Sequence, residues 1–312
     1  METLRNPATF RHEALLYAGL DEFVREMSAF ILDGLAEREP VLVVVIPPKI
    51  DLLREALGDR ADGVRFADMS EIGRNPSRII PVWRDFVGTY ANGKPIRGIG
   101  EPIWSGRTED EIVESQRHES LINLAFNGAP AWILCPYDIA GLDPSVVDES
   151  FRSHPTVTVG GRNTMSGSYR GLDEIARPFD IPLSEPEHPQ VRLPVEPGEL
   201  ESIRRFVAGY ARDSGLSRFR VHDFVLAVNE LTTNTLRHSG GLGTFRIWRE
   251  TDSVVAEVSD GGRIEQPLAG RQAPSSDREN GMGLWIVNQL CDLVQVRVFE
   301  DRSVVRIHMT RR

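Results

Sequence analysis

The sequence predicts two domains of different fold class: an α/β domain with a mostly parallel sheet, followed by a two-layer α+β domain. In the first half, short aliphatic runs alternate with helical segments, which is typical of a parallel sheet covered on both faces. In the second half, strands of period two form hairpins after grouped helices, which favours an α+β arrangement. A proline-rich stretch separates the two patterns, and 312 residues suit two domains of roughly 150 residues each.

Five aliphatic runs predict the strands of the first domain, and the amphipathic segments between them predict its helices. The predicted strands are Val41–Ile46, Val64–Ala67, Ile96–Ile99, Ala131–Cys135 and Thr156–Val159. The predicted helices cover about 19–37, 51–57, 81–90, 109–127 and 144–152.

The proline-rich stretch, residues 177–199, contains six prolines and shows no helical period. Because proline fixes φ and removes a backbone donor, the stretch predicts a linker with room for one short leading strand. We therefore expect domains at 1–180 and 195–312, joined by a linker at 181–194.

The second domain is predicted to contain three helices and two hairpins around an irregular stretch at 261–280. The helices are expected at about 199–213, 219–238 and 283–292. The predicted hairpins pair Thr244–Glu250 with Val254–Ser259, and Leu293–Glu300 with Val304–Met309.

Charge divides the chain near the same place. Residues 1–190 hold 19 basic and 30 acidic side chains, whereas residues 191–312 hold 17 and 16. An acidic first half and a net charge of −10 argue against sequence-independent binding to nucleic acid, which needs a cationic surface.

The apolar segments are too short for a membrane span. The longest aliphatic run has six residues, Val41–Ile46, against the roughly 20 that a membrane helix needs. The first residues show no apolar segment behind a basic start, so no signal peptide is predicted. The two cysteines, Cys135 and Cys291, have no metal or disulfide spacing. We therefore expect a cytoplasmic protein with no membrane partner.

The segment NELTTNTLRHSGG carries the first of three chemical signals. Glu230 and Asn234 are four residues apart on a predicted helix, so they share one face, and His238 extends that face. A carboxylate and an amide one turn apart can together hold Mg²⁺ and a polarised water or hydroxyl. Taken alone, this spacing is a weak signal, and a solvated helix face is its usual explanation.

The second signal is SDGGR, in which Asp260 directly follows a predicted strand and Gly262 comes two residues later. A carboxylate at a strand end can accept the exocyclic amine of adenine, and a glycine lets the backbone approach the base. An ordinary Asp-Gly turn is the alternative explanation.

The third signal is ENGMGLWIVNQL, in which Gly281 and Gly283 mark the entry from the irregular stretch into a helix. Free amides at a helix start, here from Gly281 to Leu284 and including Met282, suit phosphate oxygens. A glycine cap is the alternative, and the Walker pattern GxxxxGK[ST] is absent from the sequence.

In this order and within about 55 residues, the three signals resemble the N, G1 and G2 boxes of the GHKL ATPases. The form NELxxNxxRHxGG is most similar to the anti-sigma-factor serine kinases. The resemblance covers residues 195–312 and implies a Bergerat ATP-binding fold (GHKL/HATPase).

The resemblance also implies a role for each marked residue. Glu230 would be the general base and Asn234 the Mg²⁺ ligand, while Asp260 would read adenine. The residues that would shape the nucleotide cavity and meet the phosphates are Gly262, Gly281, Met282, Gly283 and Leu284. Residues 263–280, with Arg271 and Arg278, would form a lid over ATP.

The implied function is ATP- and Mg²⁺-dependent phosphorylation of a protein serine or threonine. The implied partners are a sigma factor or its STAS-type anti-sigma antagonist, and a homodimer is possible. No long helical pair precedes the ATPase, so histidine autophosphorylation is not expected. A non-catalytic ATP-binding switch that captures a partner is the alternative, and the short lid disfavours a MutL- or gyrase-like motor.

The first half resembles the MEDS sensory domain, a RecA/KaiC-like module of bacterial and archaeal regulators. The resemblance covers roughly residues 10–180 and depends on GIGEPIW (98–104), ESQRHESLINLAF (114–126), WILCPYD (132–138) and Ser153-His154-Pro155. The segment IPPKID after the first predicted strand has neither a glycine loop nor Lys-Ser/Thr, so ATP is not expected to bind in this half.

Polar residues at the strand ends could still line a pocket for a small-molecule ligand, because open α/β sheets bind ligands at the carboxyl ends of their strands. The polar candidates for this pocket are Glu101, Trp104, His118, Tyr137, Asp138 and His154. Glu114 and His118 lie one helical turn apart, but two ligands are too few for a closed metal site, and a hydrogen-bonded core histidine beside a surface glutamate is the favoured explanation. Cys135, inside an apolar strand, is predicted to be a packing residue.

Overall fold

The computed structural model describes residues 10–91, 94–187, 190–274 and 281–311. The chain divides into two compact units, before and after the bond between Ala176 and Arg177. Within the described residues, no helix combines the length and the apolar content that crossing a bilayer requires.

The first unit contains a seven-stranded sheet in the order β3-β2-β4-β5-β1-β6-β7. All neighbouring strands are parallel except the β6–β7 hairpin, which confirms the predicted mostly parallel sheet. The strands are β1 (Arg11–Tyr17), β2 (Val41–Val45), β3 (Val64–Asp68), β4 (Ile96–Gly100), β5 (Ala131–Asp138), β6 (Thr156–Val159) and β7 (Arg162–Met165).

Helices cover both faces of this sheet. They are α1 (Leu20–Ala36), α2 (Pro47–Leu57), α3 (Met69–Ile72), α4 (Ile79–Tyr90), α5 (Glu109–Ala125) and α6 (Pro144–Ser153). Helices α1 and α2 bury Phe23, Met27 and Leu53 against one face, in a cluster that includes Leu15 and Val43. Because side chains alternate along a strand, the even-numbered residues of β1 point to the opposite face.

Strands β1 and β7 were not predicted from the sequence. Strand β1 begins with Arg11, His12 and Glu13, which do not form an aliphatic run. It is nevertheless a central strand, and His12 and Glu13 are buried with hydrogen-bond partners in other elements. Strand β7 is an exposed edge strand, and it lacks the apolar alternation that marks a strand with one buried face.

The second unit contains a five-stranded antiparallel sheet in the order β11-β12-β10-β9-β8. Its strands are β8 (Val191–Val195), β9 (Gly243–Arg249), β10 (Ser253–Asp260), β11 (Leu293–Val298) and β12 (Ser303–Thr310). Its helices are α7 (Leu200–Asp213), α8 (Arg218–His238) and α9 (Met282–Leu290). Apolar residues of all three helices form one core with a single face of the sheet, which gives two layers.

The proline-rich segment is attached to this sheet rather than free of it. We call residues 177–187 the proline-rich strap. The side chain of Asp180 accepts a hydrogen bond from the backbone N–H of Val298 at the β11 edge (3.1 Å). Glu185 pairs with Arg246 of β9 at 2.7 Å, on the face opposite the core. The chain then forms β8 at the other edge of the sheet, so that this strand begins within the segment 181–194 and ends at Val195.

Candidate functional site

Helix α8 supplies the first group of predicted site residues. The hydroxyl of Ser217 accepts a hydrogen bond from the backbone N–H of Arg220 and so caps the start of the helix. Phe224 and Leu231 anchor the helix in the core, whereas Glu230 and Asn234 are only half-buried. The two polar residues therefore lie on a face of α8 that does not pack into the core.

The start of α9 packs directly against that polar face. A Cβ atom on Gly283 would lie 3.0 Å from Glu230 Oε2 and 3.0 Å from Asn234 Nδ2. Few side chains tolerate contacts this short, so glycine allows the α9 backbone to approach both groups. The first and third sequence signals thus meet at one place in the fold.

Asp260, from the second sequence signal, lies beside the same part of α8. Its Oδ2 accepts a hydrogen bond from the hydroxyl of Thr235 at 2.5 Å, and its Oδ1 accepts one from the backbone N–H of Gly262 at 2.8 Å. Thr235 follows Asn234 on α8, so the carboxylate is held beside the helix by two donors. These bonds fix the carboxylate plane and leave it at a half-buried position.

The first turn of α9 presents backbone N–H groups that no described side chain caps. Gly281 caps the helix with φ +109°, a left-handed conformation that favours glycine, and no described side chain bonds to this end. The first N–H groups of a helix have no partner within it and carry a partial positive charge. Met282 is 47% exposed, whereas Leu284 is buried and holds the turn against the core. These amides suit an anion such as phosphate.

The described part of the predicted lid, residues 263–274, lies against α9 and β12. The side-chain amide of Asn288 donates to the carbonyl oxygen of Gly270 at 2.9 Å, and the backbone N–H of Ile264 lies 3.3 Å from Ser303 Oγ. Arg271 is buried. Arg278, the other lid arginine, lies outside the described residues.

The first unit has its own polar cluster at the carboxyl ends of β1 and β4. Glu101 accepts hydrogen bonds from Lys49 Nζ at 2.5 Å and from the hydroxyl of Tyr17 at 2.8 Å. All three side chains are buried, and burial raises the pKa of Glu101 although Lys49 opposes that shift. Lys49 and Tyr17 were not among the predicted candidates; the lysine of IPPKID was the available signal.

Four of the remaining predicted candidates of the first unit contact different partners. Asp138, at the carboxyl end of β5, accepts a hydrogen bond from the backbone N–H of Ala140. Trp104 stacks under the guanidinium of Arg107, 4.1 Å from the ring centre. His154 and Tyr137 pack against each other under α5 and α6, away from Glu101.

Comparison with protein families assigns both halves of the chain. Residues 193–309 match the family model of the histidine kinase-like ATPase domain, and residues 11–155 match that of the MEDS domain, the methanogen/methylotroph DcmR sensory domain. The chain joins a MEDS domain to a histidine kinase-like ATPase domain. Both resemblances inferred from the sequence motifs are thereby confirmed.

The ATPase domain is also similar to known kinases. The chain is 26% identical over 137 residues to the serine-protein kinase RsbW of Halalkalibacterium halodurans, covering 39% of this chain and 82% of that protein. It is 26% identical over 136 residues to RsbW of Bacillus subtilis, covering 39% and 83%. A crystal structure of the RsbU and RsbW domains of a Mycobacterium tuberculosis protein matches with 14% identity and a TM-score of 0.31, over 39% of this chain and 32% of that one.

Proposed function

We propose that the chain is a signal-responsive, ATP- and Mg²⁺-dependent serine/threonine protein kinase of the anti-sigma-factor type. One observation carries the proposal: Gly283, in the first turn of α9, lies against both Glu230 and Asn234 of α8. This contact places a carboxylate and an amide next to the first-turn amides of α9. It is the combination that binding and transferring a phosphoryl group needs.

ATP would lie between β10, the start of α9 and the polar face of α8. The carboxylate of Asp260 would accept the exocyclic amine of adenine, and Gly262 would let the base approach. The backbone amides of Gly281 to Leu284 would bind the phosphates, aided by the helix dipole. The donors from Thr235 and Gly262 support this assignment, because they hold the carboxylate in place before the nucleotide arrives.

The donor set also fits Mg²⁺, which prefers oxygen ligands and few protein contacts. The amide oxygen of Asn234 lies beside Gly283, 3.3 Å from where a Cβ would stand, and would hold the ion near the phosphates. Bound there, Mg²⁺ neutralises phosphate charge.

Glu230 would act on the incoming hydroxyl. The serine or threonine oxygen attacks the γ-phosphorus, the bond from that phosphorus to the β–γ bridging oxygen breaks, and ADP leaves. The hydroxyl proton passes to the carboxylate of Glu230. In a loose transition state this proton leaves late, so a carboxylate of ordinary basicity is sufficient.

The acceptor and the input complete the proposal. The acceptor would be a STAS-type anti-sigma antagonist, the captured partner a sigma factor and the place of action the cytoplasm, with a homodimer as the working assembly. The names of the RsbW relatives support the kinase class. The MEDS domain, proposed to follow a RecA/KaiC-like plan, would bind a small molecule near Glu101. Working boundaries are 1–180, 181–194 and 195–312.

The test is phosphoryl transfer from γ-labelled ATP to a protein that co-purifies with the chain. We expect an acid-stable phosphoserine or phosphothreonine on that partner and no label on the chain itself. An acid-labile phosphohistidine on the chain would overturn the serine-kinase proposal. ATP-dependent capture of the partner without any transfer would instead establish the non-catalytic switch.

A further inference from the structure

Four buried side chains with metal-binding atoms converge in the MEDS domain, far from the strand ends discussed above. They are His12 on β1, Glu119 on α5, Cys135 on β5 and His154 directly after α6. None is more than 1% exposed, and their ligand atoms all lie within 4.8 Å of one another. The strand register explains the convergence, because Cys135 pairs with Ala14 and so faces the same side of the sheet as His12.

The distances in this cluster match a small coordination sphere. Glu119 Oε2 lies 3.0 Å from His12 Nε2 and 3.1 Å from His154 Nε2, and Cys135 Sγ lies 3.4 Å from His12 Nε2. A tetrahedral zinc site with bonds of about 2.0–2.3 Å separates its ligand atoms by about 3.3–3.8 Å. These three separations lie within about 0.3 Å of that range, and the other pairs are no more than 4.8 Å apart, so shifts of about 1 Å or less would let the four groups surround one ion.

The tautomer of His12 is fixed by Asn123. The side-chain amide of Asn123 donates to the carbonyl oxygen of Ser153 at 2.8 Å, so its oxygen is the atom that faces His12 Nδ1 at 3.0 Å. An amide oxygen only accepts hydrogen bonds, so Nδ1 of His12 carries the hydrogen. Nε2 of His12 therefore presents a lone pair to the cluster.

His154 has the same arrangement. Its Nδ1 lies 2.9 Å from the carbonyl oxygen of Ser150, so that nitrogen carries the hydrogen and Nε2 presents a lone pair. Both lone pairs approach the same oxygen of Glu119. Cys135 offers one thiol hydrogen, and no donor among the described residues reaches Nε2 of His154. The centre of the cluster is therefore electron-rich and short of positive charge.

We propose that His12, Glu119, Cys135 and His154 bind one divalent transition-metal ion of the zinc class. A thiolate and two imidazoles select such a metal over Mg²⁺ or Ca²⁺, and the carboxylate completes four ligands. Binding replaces the hydrogen on Cys135 Sγ with a sulfur–metal bond, and the hydrogen leaves to solvent as a proton. Nδ1 of His12 and Nδ1 of His154 already donate hydrogen bonds to oxygen atoms, as the nitrogen that does not bind the metal usually does in a metal-bound histidine.

Charge balance favours the loaded state. A dication with one thiolate, one carboxylate and two neutral imidazoles has no net charge, whereas the empty cluster leaves the carboxylate as an isolated charge in the interior. Four protein ligands also close the coordination sphere, as in structural rather than catalytic zinc sites. The ion would fasten α5 and the end of α6 to the central strands β1 and β5.

The experiment measures zinc binding to the whole 312-residue chain, stripped with a chelator and titrated with zinc ion alone against a competing indicator. We expect one tight equivalent. Cys135→Ser and His154→Gln should weaken binding by at least about 100-fold, which is the upper end of the cost of losing an outer-sphere partner. Cys291→Ser is the matched control, because Cys291 is the other buried cysteine and lies in the ATPase domain; it should bind zinc as the unmodified chain does.

Cobalt ion provides a readout that does not depend on the variants folding. The cobalt-loaded, unmodified chain should show a thiolate-to-cobalt charge-transfer band and visible bands of a tetrahedral site. Absence of the thiolate band overturns the proposal, as does equal zinc affinity of folded Cys135→Ser and the unmodified chain. A chain that takes up no zinc would show instead that a proton, shared among the histidines and Glu119, supplies the missing charge.

Discussion

The ATPase site and the buried cluster of the MEDS domain are assembled in opposite ways. In the ATPase domain, half-buried Glu230 and Asn234 lie one turn apart, and backbone amides from another short motif meet them. In the MEDS domain, the four side chains come from four elements between His12 and His154 and are fully buried. A site that exchanges its ligand must stay open, whereas a site that retains an ion can be sealed. Short motifs suit the first purpose and distant elements suit the second.

The largest expected effect is a loss of phosphoryl transfer at the ATPase site with ATP binding unchanged. Glu230→Gln should keep ATP affinity and lose phosphoryl transfer by about 10²–10⁴-fold, because the amide cannot accept the hydroxyl proton. Transfer to the partner is measured alongside calorimetric ATP binding. Glu201→Gln, an exposed carboxylate on α7, is the control and should transfer at the normal rate. Unchanged transfer in Glu230→Gln would remove the residue from the mechanism.

The next effect concerns recognition of adenine. Asp260→Asn should weaken ATP binding by about 1.5–3 kcal/mol, the usual loss for a hydrogen bond to a charged group, or roughly 10- to 150-fold. Calorimetry on the folded chain measures it, and Asp252→Asn in the β9–β10 turn controls for the lost charge. Equal ATP affinity of the two variants would show that Asp260 does not read the base.

The buried cluster of the MEDS domain is tested through Asn123, which hydrogen-bonds to His12 but is not itself a proposed ligand. Asn123→Ala removes the acceptor for His12 Nδ1 and should weaken zinc binding by about 10–100-fold, as loss of such partners does elsewhere. The zinc titration described above provides the measurement. Asn163→Ala on β7 is the control, because Asn163 bonds to Thr158 outside the cluster. If both variants bind zinc equally, Asn123 does not orient a ligand.

The smallest effect is a pH dependence confined to the ATPase domain. The imidazole of His308, with Nδ1 3.7 Å from Glu250 Oε2, and then a hydrogen bond from the indole N–H of Trp248 lower the pKa of Glu250 from 4.5 to about 2. A carboxyl whose pKa is lower in the folded state stabilises the fold above pH 4.5 and loses that contribution as the pH falls toward 2. Because Glu250 is 41% exposed, we expect a modest slope in the unfolding temperature. Glu250→Gln should flatten this slope; an unaltered profile would contradict the assignment.

Local patterns were sufficient to predict most of the fold, and they marked the residues that α8, β10 and α9 bring together in the candidate ATPase site. The aliphatic runs predicted β2 to β6. Glu230, Asn234 and Asp260 could be marked from their spacing because each motif belongs to one element or to its end. Strand β1 was missed, since its first residues are polar and gain their burial only from tertiary partners. Propensity cannot anticipate a buried histidine whose acceptor lies over a hundred residues away.

The two polar clusters of the MEDS domain, around Glu101 and around Glu119, were not predicted for the same reason. Lys49 meets Glu101 only because β2 and β4 are neighbours, an adjacency that sequence order does not reveal. Cys135 was predicted to be a packing residue from its apolar neighbours in the strand, yet it lies beside His12. The four residues of the buried cluster, at positions 12, 119, 135 and 154, follow no local period in the sequence. Only the topology of the fold brings them together.

The proline-rich strap gives the ATPase sheet an unusual mechanical connection to the residues before it. A free tether transmits only distance, because its bonds rotate to absorb any turning of its ends. Here the chain is held at the β11 edge by Asp180, again on β9 by Glu185, and at the far edge as β8. Turning of the backbone at residue 177 would therefore act on both margins of the sheet. Because α8 packs on this sheet, we expect such a turn to reach the sheet that carries α8 more directly than a free tether would allow.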